Sequence, residues 1–435
     1  MSEIFEIAYA AATNRLCLFT GTGFSKAVSG GTAPTWQGLL EKLCDAIPNS
    51  AKFKASLFPK DKPSALSLEE AAQIISLKLA AEDKDIYNEV ADIIKAITLS
   101  GENKNISAFF QNRPFRIVTT NYDKLAETLT AENSVQSITP GLPIPRSSAN
   151  IKVYHVHGSI DSPKNMVITS DDYFKFLNAD SYFSRKLSTV LHENTVVILG
   201  YSLGDTNLKA IINDYKGFSK SHVVGSNIFL VSRSVVDQNV KDYYSHCYGI
   251  RVLDSLELES FFDKLNAAIP KAEEVSVESL KSIRQVVYEN YAFTDDYLKL
   301  EDSFYQIISA ISAEGLSWNN QAVVKVIGDI IERKTDFTRE NNAWVQYEHL
   351  ARWLIYLGAI FELKGTTIED KYLDAVIRSM ATMSKDYSFG YSWNAYKSWQ
   401  ERWSSITVSN RILIRKHIKV NNPRQDALTI VDGIE

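Results

Sequence analysis

Four short stretches of this 435-residue chain end an apolar run in residues whose types could do chemistry. The first is "LCLFTGTGFS", residues 16–25, which carries Gly21, Thr22, Gly23 and Ser25. Glycines at a strand end let backbone N–H groups approach a phosphate with no Cβ in the way. Lys26 stands where a Gly-x-Gly-x-x-Gly pattern would place its third glycine, and no Gly-Lys-Ser/Thr follows, so the stretch is not a P-loop. Taken alone it reads equally well as a tight strand-to-loop turn.

The second stretch is "VTTNYDKLAE", residues 118–127, in which Asn121 and Asp123 follow an apolar run. Polar residues at the carboxyl end of a parallel strand stand where open α/β sheets bind ligands. The same two residues would also serve as helix caps. The third is "YHVHG", with His155 and His157. In a strand the two rings point to one face, but a metal would need further ligands that no nearby His or Cys supplies. His157, followed by Gly158 at a strand end, suits an exposed general base. The fourth is "VVILGYSLGDTNL", residues 196–208, where Gly200 allows close approach, Ser202 offers a hydroxyl and Asp205 can cap the next helix.

Something must hold these turns side by side. The runs "RLCLFT", "FRIVTTN", "IKVYHVHG", "NTVVILG", "SNIFLVSR" and "GIRVLD" are almost continuously apolar. Strands covered on both faces of a parallel sheet have this character. Helical patterns such as "YDKLAETLTA", "TNLKAIINDY" and "ELESFFDKLNAAI" alternate with them, which implies a doubly wound α/β domain over residues 1–272. Residues 36–112 break the alternation with helical patterns alone, including "SLEEAAQIISLKLAAED", where Ser67 and Glu70 have capping-box spacing. We read them as an insertion over the sheet edge. Residues 273–435 read as a mainly α-helical C-terminal domain. In "NAWVQYEHLARWLIYLGAIFELKG", Tyr347, Leu350, Leu354, Leu357 and Phe361 recur at three- and four-residue steps.

Composition bounds the rest. The net charge of −5 gives no global attraction to nucleic acid or anionic lipid. The tract "RILIRKHIKVNNPR", residues 411–424, leaves nucleic-acid phosphate, an acidic partner or a solvated face open. Trp344, Trp353, Trp393, Trp399 and Trp403 read as core or subunit interface. Three cysteines without Cys-x-x-Cys spacing fit a reducing compartment. The first residues carry acids and no basic region, unlike a signal peptide. The longest apolar stretch, "WLIYLGAIFEL", is too short to span a bilayer. These features place the expected location in the cytoplasm, with no membrane partner.

Gly-x-Gly-x-Ser, then Thr-Asn-x-Asp, then His-Gly, then Gly-x-Ser, each at a strand end, together resemble the Sir2 family. The resemblance spans roughly residues 10–270, about three-fifths of the chain. It implies a Sir2-type Rossmann-like sheet and NAD+ as substrate. The pyrophosphate is then expected on the backbone of Gly21, Thr22, Gly23 and Ser25. The adenosine side is expected near Gly200, Ser202 and Ser232, and the nicotinamide ribose near Asn121 and Asp123. Departures are plain. Thr22 replaces the usual Ala, "APTWQGLL" replaces the usual Phe-Arg, and Ser232 replaces the usual ribose-binding Asn. Three cysteines cannot build the four-cysteine zinc module of sirtuin deacylases, so no zinc is expected.

Without that module, water is the expected nucleophile, with Asn121 orienting it and His157 as base. The expected function is NAD+ hydrolysis to nicotinamide and ADP-ribose. Bacterial Sir2-like proteins of this layout resemble gated antiphage effectors that deplete NAD+. The resemblance implies a homo-oligomer gated through its helical domain, with a HerA-type ATPase or a phage-derived trigger as partner classes. The alternatives are a protein ADP-ribosyltransferase or deacylase, and a non-catalytic NAD+ or ADP-ribose sensor.

Overall fold

The structure is a computed structural model and describes residues 2–61, 63–131, 134–144, 148–178, 182–201, 212, 227–318, 320–421 and 424–433. Seven strands form one sheet: β1 (Leu16–Thr20), β2 (Phe115–Thr119), β3 (Val135–Ile138), β4 (Ile151–His155), β5 (Thr195–Leu199), β6 (Ile228–Val231) and β7 (Ile250–Leu253). Every pairing is parallel, in the order β3-β4-β2-β1-β5-β6-β7. The strand runs read from sequence are all present, each trimmed to its apolar centre. Strand β3 is the addition. Its "VQSI" alternates half-buried and buried positions, as an edge strand covered on one side should.

Period-two alternation splits the sheet residues between two cores. Leu16, Leu18, Ile117, Val153, Val197, Leu199 and Phe229 face one, with Phe109, Phe110 and Phe262. Cys17, Phe19, Val118, Tyr154, Val196, Ile198 and Leu230 face the other. On the first face, Phe109 lies 4.9 Å from Phe115 and 5.3 Å from Phe262, ring centre to ring centre. Fully burying one such ring stabilises by roughly 1.5–3 kcal/mol.

Helix Leu258–Tyr288, 31 residues long, crosses that first face and continues past residue 272 without a break. The N-terminal helix Ser2–Ala12 packs on it, and Tyr9 Oη meets Ser279 Oγ at 2.7 Å. Buried side chains run in one continuous cluster from the sheet into the C-terminal helices, reaching Trp353 and Trp399. Among the five tryptophans noted above, Trp353, Trp399 and Trp403 are buried, and Trp344 is exposed.

Between residue 36 and β2 lie the helices Trp36–Leu43, Ser50–Leu57, Leu68–Ala80, Ile86–Lys95 and Lys104–Asn112, with no strand among the described residues. Ser67 caps Leu68–Ala80 as its spacing implies: Glu70 N–H donates to Ser67 Oγ, and Ser67 N–H donates back to Glu70 Oε2. Most of this insertion has its own core, which also takes in Tyr122, Met166 and Ile168 from the turns after β2 and β4. The insertion therefore packs at the carboxyl ends of those strands.

Candidate functional site

Strand register lines up a row of turns. Thr20 pairs with Thr119 on one side and Leu199 on the other, Thr119 pairs with His155, and Leu199 with Val231. The residues that follow emerge side by side at the carboxyl edge. Gly21, Asn121 and Gly200 stand at the centre, with His157 one strand beyond Asn121 and Ser232 one strand beyond Gly200. The order reverses direction between β1 and β5, and such a switch point opens a crevice where α/β sheets hold ligands.

At that switch the two central turns cross. Gly21 N–H donates to Leu199 O at 3.0 Å and Gly23 N–H to Gly200 O at 2.7 Å. Gly200 has φ +61°, and a Cβ there would overlap Phe24 N and lie 2.8 Å from Phe24 Cα. A Cβ on Gly23 would lie 2.9 Å from Gly200 Cα. These glycines are required by the approach of one backbone to the other. The N–H groups of Gly21, Gly23 and Phe24 are thus all engaged inside the protein, the last with Gly21 O at 2.9 Å. Thr22, first residue of the helix Thr22–Val28, is exposed.

Asn121 is fixed by what surrounds it. Its backbone N–H donates to Thr119 Oγ1 at 3.1 Å, and Thr119 Oγ1 in turn donates to Thr20 O at 3.1 Å. Its side-chain Nδ2 donates to Gly21 O at 2.8 Å and to Ser25 Oγ at 2.7 Å. Ser25 Oγ passes its own proton to Asp123 Oδ2 at 2.7 Å, and Asp123 Oδ1 accepts from Leu125 N–H at 3.1 Å. A carbonyl can only accept, so Gly21 O forbids the flipped amide. Both amide protons are therefore taken, and among the described residues nothing donates to Asn121 Oδ1. Burial pushes the Asp123 carboxyl up, partly opposed by the Ser25 hydroxyl and the Leu125 N–H.

Behind Asn121 lies a pair to which the sequence reading assigned no role. His155, fully buried, places Nδ1 3.1 Å from Asn121 O and Nε2 2.8 Å from Glu127 Oε1. Lys124 Nζ lies 2.8 Å from the same Glu127 oxygen and 2.6 Å from Asp161 Oδ2. Burial alone would push the Glu127 carboxyl up, but His155 and Lys124 outweigh it and hold it at about 2. Glu127 is visible in sequence as the acid four residues after Asp123. Its meeting with His155 depends on the β2–β4 register.

His157 differs from its expectation as an exposed strand-end residue. Strand β4 stops at His155, so the two histidines do not share a strand face, and His157 sits in the turn that Gly158 closes at φ +84°. It is 4% exposed. Tyr173 and Phe176 of the helix Ser170–Asn178 lie edge-on to its ring, with centres 5.4 and 5.2 Å away.

The residues expected on the adenosine side divide. Gly200 belongs to the central crossing. Ser232 stands apart, its Oγ donating to Ser234 O at 2.8 Å. Ser202 and Asp205, with the helical pattern at 206–215 except residue 212, lie outside the described residues. Among the described residues no three His, Cys, Asp or Glu side chains gather as metal ligands, and no helix is long and apolar enough to cross a membrane. In the basic tract Arg411 pairs with Asp242, Arg415 and Lys419 pair with Asp432, and Arg424 covers the Tyr391 ring.

Residues 116–253, from β2 to the end of β7, match the SIR2-like domain family. That stretch of the chain is therefore similar to a SIR2-like domain. The match takes in Asn121, Asp123, His155, His157, Gly200 and Ser232. Defense-associated sirtuin 2 of Bacillus subtilis is 21% identical over 260 residues, 59% of this chain and 24% of that protein. An NAD(+) hydrolase ThsA of Enterococcus faecium is 30% identical over 190 residues, 42% of this chain and 36% of that one. A second ThsA, from Bacillus cereus, is 33% identical over 100 residues, 22% of this chain and 21% of its own length. The likeness therefore spans about a third or less of each of these relatives. It bears on the SIR2-like domain and its site, not on the whole of those proteins.

Proposed function

We propose that this site hydrolyses NAD+ to nicotinamide and ADP-ribose. The observation that carries the reading is the orientation of Asn121. With both amide protons held by Gly21 O and Ser25 Oγ, what it offers a substrate is Oδ1. That oxygen accepts from a water or a ribose hydroxyl, and its partial negative charge favours a neighbouring cation.

The chemistry calls for both. The bond from ribose C1′ to the nicotinamide nitrogen breaks, and its electron pair stays with the ring. Nicotinamide leaves neutral, so no general acid is needed. The ribose becomes oxocarbenium-like, water oxygen bonds to C1′, and one proton is released. In this reading Oδ1 of Asn121 holds the water or a ribose hydroxyl. Neutral His157 takes the proton, an effect worth roughly 10²–10⁴-fold. The backbone crossing at Gly21, Gly23 and Gly200 holds the turn that carries Ser25, and Ser25 holds Asn121.

Two further parts of the reading are gating and role. The Tyr173 and Phe176 rings cover His157, so the base must be uncovered before NAD+ reaches it. The helix Leu258–Tyr288 joins the sheet to the helical C-terminal half, through which oligomerisation or a partner would act. The names of the relatives, a defence-associated sirtuin and NAD+ hydrolases, support an antiphage effector that depletes NAD+ when triggered.

The test follows NAD+, nicotinamide and ADP-ribose by chromatography, with Asn121→Ala and His157→Ala beside the parent protein. Equal release of both products is expected, and each variant should lower turnover by at least about 10²-fold. Absence of both binding and turnover of NAD+ would sink the reading. ADP-ribose recovered on protein rather than free would replace hydrolysis with transfer.

A further inference from the structure

His155 faces two acceptors. One ring nitrogen meets the Asn121 carbonyl, the other a Glu127 carboxylate oxygen. Neither partner can donate, so each bond requires the ring to supply the proton. A neutral imidazole has one N–H and can make only one of them. Lys124 Nζ, on the same Glu127 oxygen, keeps that group a carboxylate. The other Glu127 oxygen, Oε2, is buried with no hydrogen-bond partner among the described residues. Among the described residues, the charges that meet the ring or its partners are Glu127, Lys124 and, through Lys124, Asp161, with Asp123 on the neighbouring turn.

We propose that His155 is a positioning residue, held doubly protonated by Glu127 so that its Nδ1–H fixes the Asn121 backbone and, through it, the direction of the Asn121 amide. The inference rests on the hydrolase reading for its catalytic meaning, but its geometry does not need NAD+. Thr119 Oγ1 holds the N–H of Asn121 and His155 holds its C=O. Between those two anchors the residue has one conformation, and Oδ1 points one way. Full misplacement of such a group by 1 Å can cost about 10²-fold in rate. His155 touches neither water nor substrate in this scheme. It acts only through Asn121.

Glutamine at position 127 separates charge from contact. Its amide N–H can donate to Nε2, so a neutral His155 bearing a proton on Nδ1 would still hold Asn121 O. Alanine removes the partner altogether. The experiment uses the full chain labelled with ¹⁵N in histidine and asparagine, without NAD+, with resonances assigned from His155→Gln and Asn121→Ala. Parent protein should show both His155 nitrogens protonated at pH 7. Glu127→Gln should leave one N–H, on Nδ1, and unchanged Asn121 side-chain amide signals. Glu127→Ala should shift those amide signals and speed their hydrogen exchange. In parallel assays Glu127→Ala should lower kcat by about 10–100-fold with KM for NAD+ little changed, and Glu127→Gln should recover most of it.

A singly protonated His155 in the parent protein would overturn the proposal, and that measurement needs no variant to fold. So would Asn121 signals indifferent to Glu127→Ala. If the spectra behave as expected but no NAD+ is turned over, the positioning stands and the hydrolase reading falls. Turnover with indifferent Asn121 signals has the opposite meaning.

Discussion

Replacing Gly200 by alanine tests whether the crossing of two backbones, rather than general flexibility, requires glycine at that turn. Two costs arise. A Cβ at φ +61° is strained by its own backbone, by about 1–2 kcal/mol. The same Cβ would overlap Phe24 N and press on Gly23 C and Phe24 Cα, all main-chain atoms that no rotamer change can move. Overpacking of that kind adds about 1–3 kcal/mol, so Gly200→Ala should cost about 2–5 kcal/mol. Gly315 supplies the control. It has φ +66°, and a Cβ there would meet nothing within 4 Å. Gly315→Ala should therefore show the strain alone, about 1–2 kcal/mol. Thermal unfolding of the two variants beside the parent reads the difference directly. A kilocalorie shifts Tm by about 2–4 °C in chains of 150–250 residues and by less in longer ones. The drop for Gly200→Ala should be at least about one and a half times that for Gly315→Ala. NAD+ turnover should fall for the first variant alone, because Gly23 and Ser25 move with the crossing. Equal losses in Tm would refute the argument from packing.

Other expectations concern charge and burial. Glu127 is held at about 2, below its ordinary 4.5, so its contribution is fully present above pH 4.5 and is lost as pH falls toward 2. It amounts to about 3 kcal/mol for a group this buried. The Tm difference between parent and Glu127→Gln should shrink from pH 5 to pH 3, and a constant difference would count against a charged pair. Burial pushes the Cys17 thiol up to about 12 and that of Cys44 to about 11, whereas Cys247 is only partly buried. A disulfide reagent at pH 8 should label one thiol quickly in the folded protein and three after unfolding. Two or three fast thiols would show that the sheet does not shield Cys17 and the insertion does not shield Cys44.

Much of this was legible in the sequence because parallel strands must be apolar on both faces. Leu16–Thr20 and Thr195–Leu199 announce themselves by continuity, and the polar residues after them mark the carboxyl edge. Strand Val135–Ile138 is not legible in the pattern, because an edge strand needs only one apolar face and has four residues here. The pattern "YDKLAETLTA" gave one helical turn, Leu125–Thr128, because residues 119–123 are drawn into the Asn121 network instead. Asn121, Ser25 and Asp123 were legible as types, but their hydrogen bonding to each other was not. That contact joins the ends of β1 and β2, which are a hundred residues apart, and no local pattern encodes it. The same holds for His155 and Glu127, which meet through strand register. The cover over His157 comes from residues 173 and 176, on a helix whose docking the strand pattern does not specify.

Strand order also sets a timetable for synthesis. β1 is the central strand, yet its neighbours begin at residues 115 and 195, and the Gly23–Gly200 bond needs both turns. A ribosome adding about 5–20 residues per second takes about 10–35 s to travel from one glycine to the other. The opening helix Ser2–Ala12 waits longer still, since it packs on Leu258–Tyr288. Until then its buried face of Ile7, Ala8 and Ala11 lacks its main partner, and the nascent chain is a natural client for a holding chaperone. On the hydrolase reading, the delay has a use: the crossing that holds Ser25 and Asn121 cannot form before Gly200 has been added.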